Sequence, residues 1–69
     1  MTKQEILERL DKDPFEPFRI NTTDGKHYDV VNPRLVVPME TRVFIAMPND
    51  QWTLITLRHV TSIQSTEAA

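Results

Sequence analysis

The chain of 69 residues contains no cysteine, a single glycine, one tryptophan and one tyrosine. Without thiols there is neither a disulfide to staple a small fold nor a thiolate to hold a metal, and a reducing compartment is permitted. One glycine excludes any glycine-rich loop that would cradle a phosphate. No stretch approaches the roughly 20 apolar residues of a membrane span, and the start "MTKQEILERLDKD" has no apolar run of signal-peptide length. A soluble, cytoplasmic protein is expected. Without a secretory signal the glycosylation pattern "NTT" at 21–23 carries no weight.

Catalysis also lacks its materials. The only serines are Ser62 and Ser65, with no nucleophile-elbow pattern around either, and His27 and His59 have no partner at ligand spacing. Asp24 and Asp29 are accounted for by a turn and a solvated strand face. The sequence therefore points away from an enzyme, a metal site, a cofactor or a small-molecule substrate.

Net charge is −2, which disfavours strong nonspecific attraction to nucleic acid or anionic membranes. The balance is uneven. Residues 1–17 hold five acids and three bases, a balance of −2, and residues 18–64 hold five bases and four acids, a balance of +1.

What is present reads as one helix followed by strands. Thr2 and Glu5 form a Thr-x-x-Glu capping box, and Ile6, Leu7 and Leu10 gather on one face, predicting a helix over about 2–12 that Pro14 stops. "DPFEPFRI" at 13–20 holds two prolines and two phenylalanines. Its P-x-x-P spacing fits a docking peptide, but two aromatics between a helix and a strand are more economically buried than displayed. The two prolines thus aim Phe15 and Phe18 at the core.

"FRINTT" alternates with period two, Asp24-Gly25 is a hairpin signal, and "KHYDVV" returns as a second strand. "NPRLVVP" is broken by prolines and predicts a turn and an extended edge piece. "TRVFIAM", "QWTLITL" and "VTSIQ" supply three more strands, with a turn at "PND" between the first two and a frayed tail at 65–69. The expected core comprises Leu7, Leu10, Phe15, Phe18, Ile20, Val43, Ile45, Trp52 and Leu54.

The expected fold is mainly β with an N-terminal helix: a single domain, with a small five-stranded antiparallel barrel over about 18–64. Ordering so short a chain costs roughly 100 kcal/mol, so stability will be marginal. The strands at 43–47 and 52–57 are apolar on both faces, which a sheet solvated on one side would not be. Either the helix covers the second face, the sheet curls into a barrel, or a partner chain buries the surplus. Self-association into a homo-oligomer is expected, with Trp52, Phe44, Ile55 and Leu57 as candidate interface residues.

This layout resembles the small SH3-like and Sm-like barrels. "LRHVTSI" at 57–63 looks like the basic-His step before the final strand in the Sm-like RNA-binding family. The chain departs from that family after the Asp24-Gly25 hairpin, where "KHYDVVNPRLVVP" lacks a second glycine and inserts prolines. The resemblance implies RNA as the alternative partner, contacted by Arg58, His59, Lys26 and Arg42. "PFEPFRI" followed by "DG" is also similar to small bacterial proteins with a Pro-Phe-x-Pro-Phe opening, from which no activity carries over. The leading expectation is a non-catalytic module acting through protein–protein contact.

Overall fold

Proline and hydroxyl residues mark the first boundaries. In the computed structural model, which describes residues 1–47 and 49–66, helix α1 spans Lys3–Leu10. Thr2 caps it, its Oγ1 accepting the Glu5 N–H at 3.3 Å while its hydroxyl donates to the Glu5 carboxylate at 3.2 Å. The helix ends at Leu10 with Asp11 as its C-cap, short of the expected residue 12 and ahead of Pro14. Of its apolar residues Ile6 is fully buried, whereas Leu7 is only half-buried.

The strands are β1 (Phe18–Thr22), β2 (His27–Val30), β3 (Val36–Pro38), β4 (Arg42–Met47), β5 (Gln51–Thr56) and β6 (Val60–Ser65). They form two separate three-stranded sheets, ordered β2-β1-β6 and β3-β4-β5, every pairing antiparallel. The expected five-stranded barrel is therefore incorrect. Among the described residues there are six strands and no closure. The reason lies at "NPRL": Asn32 caps a 3-10 turn at Pro33–Leu35, its side chain accepting the Arg34 N–H at 2.9 Å. Proline offers no N–H to a ladder, so the strand stops and β3 restarts in the other sheet. The piece expected as a mere extended edge is itself a strand, β3, at Val36–Pro38.

A second 3-10 turn, Leu57–His59, carries β5 into β6. Two backbone hydrogen bonds hold it: Leu57 N–H to the Thr41 carbonyl at 2.8 Å, and Thr23 N–H to the His59 carbonyl at 2.9 Å. One bond reaches the β3–β4 connection and the other reaches the β1–β2 hairpin. The turn is thereby tied to both sheets.

The core lies between the sheets and is closed by α1. It is built from Ile6, Phe18, Ile20, Val30, Val36, Val43, Ile45, Ile55, Leu57 and Val60. Phe15 is half-buried and meets Phe18 edge-on, centroids 6.1 Å apart, so both aromatics of the proline segment turn inward as expected. Trp52 and Leu54, expected in the core, are instead 63% and 40% exposed. Ser65 belongs to β6 and the Thr66 N–H donates to the Pro17 carbonyl at 3.2 Å, so the expected fraying does not hold there; 67–69 lie outside the described residues. Pro48 of the expected "PND" turn also lies outside them.

Candidate functional site

Each sheet has one face on the core and one face outward, and the two outward faces differ in kind. On the first sheet, Arg19 of β1 pairs with Asp29 of β2, Nε to Oδ1 at 2.7 Å. Asn21 donates from Nδ2 to Ser62 Oγ at 3.0 Å and to Gln64 Oε1 at 2.9 Å. This face is polar, and Arg19, Asn21, Asp29, Ser62 and Gln64 are hydrogen-bonded to one another across its strands.

The second sheet's outward face is built otherwise. Register places Val37, Phe44 and Leu54 side by side across β3, β4 and β5, and Ala46 beside Trp52 in the next outward row. Phe44 and Trp52 stack, centroids 5.7 Å apart and planes at 26°. Met39, whose N–H donates to the Arg42 carbonyl at 2.7 Å, extends the β3 side, and Leu35 lies at its other end. Leu35, Val37, Met39, Trp52 and Leu54 are all exposed. Contiguous exposed apolar side chains of this extent mark a contact surface. The only charge that β4 contributes is Arg42, and neither it nor exposed Asp50 in the β4–β5 turn has an ion-pair partner among the described residues.

Register explains why the outward set is Trp52 and Leu54. Val43 and Ile45 of β4 face inward opposite Ile55 and Thr53, so the intervening residues of β5 must face out. Of the four expected interface residues, Phe44 and Trp52 meet on this surface, whereas Ile55 and Leu57 are buried in the chain's own core. Val37, Met39 and Leu35 were missed. Their alternation in "LVVPM" was the available signal.

The expected basic residues are all exposed but divide between two clefts. Arg42 and Arg58 line one, together with Glu40 and Thr56; Lys26 and His59 line the other, together with Asp24, Tyr28 and Thr56. Each cleft thus mixes its bases with an acid. The Asp24 carboxyl is held below its ordinary value by a hydrogen bond from the Thr22 hydroxyl and another from the Lys26 N–H, and so stays charged. Asp29 is lowered, and Arg19 raised, by their shared hydrogen bond.

Among the described residues no group of three or more His, Asp or Glu is placed to hold a metal ion, and no helix is long and apolar enough to cross a membrane. The chain matches no family model, no curated protein and no solved structure.

Proposed function

We propose that this protein is a small, non-catalytic, β-rich module that works by protein–protein contact through the outward face of its second sheet. One observation carries the reading: the row Val37–Phe44–Leu54, with Trp52 stacked on Phe44, is apolar and uncovered, while the other sheet's outward face is polar and internally hydrogen-bonded. Burying such a face yields about 25 cal/mol per Å² of apolar surface removed from water. A photo-crosslinking side chain at Val37, with one at Gln64 on the polar face as control, tests it in cells. Protein adducts from position 37 and not from 64 are expected. None at 37, or equal yields at both, would refute it.

RNA binding is the second reading, favoured by the placement of Arg42 with Arg58 in one cleft and Lys26 with His59 in the next, Thr56 lying between them. It ranks lower because Glu40 and Asp24 share those clefts and offset the positive potential that phosphates need. Fluorescence anisotropy with uridine-rich and adenine-rich oligonucleotides decides between the readings. At ~0.1 M salt, where the Debye length is about 10 Å, no binding is expected. Salt-sensitive binding lost in an Arg58→Ala/His59→Ala variant would reverse the ranking.

A further inference from the structure

The face just described is complementary to itself, and we propose that its occupant is a second copy of this chain. The two copies pack face to face about a twofold axis that lies in the interface and runs across the strands. The inference rests on the reading of that face as a protein contact and adds its partner and geometry.

The side chains set the axis. Phe44 and Leu54 form one outward row, Ala46 and Trp52 the next. A twofold axis between these rows turns the partner end for end and seats Phe44 on Ala46, a large side chain against a small one, and Leu54 on the Trp52 indole. An axis running along β4 would instead oppose Phe44 to Phe44 and Arg42 to Arg42.

Charge selects the same axis independently. Arg42 stands opposite Thr56 at one end of the β4–β5 ladder, and Asp50 lies in the turn at the other end, one residue before Gln51, which pairs with Met47. The midpoint of that span falls between the Phe44 and Ala46 rows. The rotation that packs the apolar rows therefore also brings each Arg42 to the other copy's Asp50, giving two equivalent ion pairs at opposite rims. Both Arg42 and Asp50 are exposed and unpaired within one chain, among the described residues.

Size sets the strength. Three strands at about 4.8 Å spacing and about six residues at 3.3 Å rise make a face of roughly 14 by 20 Å, about 280 Å² per copy and well below the roughly 800 Å² per partner of a standard specific interface. The dimer should be a weak one, dissociating in the high-micromolar range.

Sedimentation equilibrium on the whole chain from ~1 μM to ~1 mM tests this, with circular dichroism to verify that each variant is folded. The parent should pass from monomer to dimer and no further. Arg42→Asp and Asp50→Arg should each weaken dimerisation by about tenfold or more, and the two together should restore it to within about threefold of the parent. A parent that stays monomeric throughout would overturn the inference; if Val37 then crosslinks to other proteins, the contact reading stands and the second copy alone falls. Dimerisation indifferent to the single swaps, or not restored by the double swap, would overturn the proposed axis.

Discussion

Phe44 and Trp52 stack on adjacent strands with ring centroids 5.7 Å apart, yet Trp52 remains 63% exposed. The pair is an ordered aromatic platform presented to solvent. Its energetic role within one chain is small, since such contacts contribute about 0.5–1.5 kcal/mol. That role contrasts with Phe18, which is fully buried.

Truncating Phe18 should therefore be far more damaging than truncating Trp52. Phe18→Ala is expected to cost about 3–5 kcal/mol, comparable with the whole stability of a domain this small. Trp52→Ala should cost about 1 kcal/mol or less. Urea denaturation followed by circular dichroism compares them, and equal losses would contradict the burial pattern.

Gly25 adopts φ +82° in the β1–β2 turn, and a Cβ added there would meet nothing within 4 Å. The penalty for a side chain is thus conformational rather than steric. Gly25→Ala is expected to lower stability by about 1 kcal/mol, and Gly25→Asn by less, because asparagine tolerates the left-handed region. Thermal melts of the two variants provide the comparison.

Asp24 and Asp29 have folded-state pKa values lowered from 3.8, the first chiefly by the Thr22 hydroxyl and the second by Arg19. A lowered carboxylate pKa contributes stability that is complete above the unfolded value and is lost as pH falls through the folded one. The urea midpoint should hold down to about pH 5 and decline below about pH 4. An Asp24→Asn/Asp29→Asn variant should be less stable at neutral pH and decline less in acid. An unchanged acid limb would show that neither carboxylate contributes.

Trp52 is the only tryptophan, so its emission reports on the proposed contact without a label. At ~1 μM its maximum should be that of a solvated indole. Toward ~1 mM it should shift to the blue as the second copy excludes water. Arg42→Asp should move that transition to higher concentration.

Local chemistry made much of the chain legible. Thr2 and Glu5 marked the helix start, Pro14 its limit, and Asp24-Gly25 the first hairpin, because each constrains backbone within a few residues. Which side of β5 faces inward was not legible. "WTLIT" offers Trp52 and Leu54 to one face and Ile55 to the other, and the choice is made by pairing with Val43 and Ile45 on β4. A one-residue slip would exchange the faces, and apolar content on both sides conceals which is correct. Barrel closure was likewise misjudged at Pro33, where one 3-10 turn decides that β2 and β3 belong to different sheets. Ile6 displaced Leu7 from the core because adjacent helix positions differ by about 100° of rotation, which so short a helix does not resolve in sequence.

The 3-10 turn Leu57–His59 is anchored by the buried Leu57 side chain and by two main-chain bonds, Leu57 N–H to the Thr41 carbonyl and Thr23 N–H to the His59 carbonyl. Apart from proline at 57 or 23, no substitution removes a donor or acceptor from either bond. The exposed side chains of Arg58 and His59 are thus uncoupled from the joint that their backbone forms. Mutational drift can rewrite the chemistry displayed at this corner, in charge, size or aromaticity, while the sheet-to-sheet connection beneath it is inherited intact.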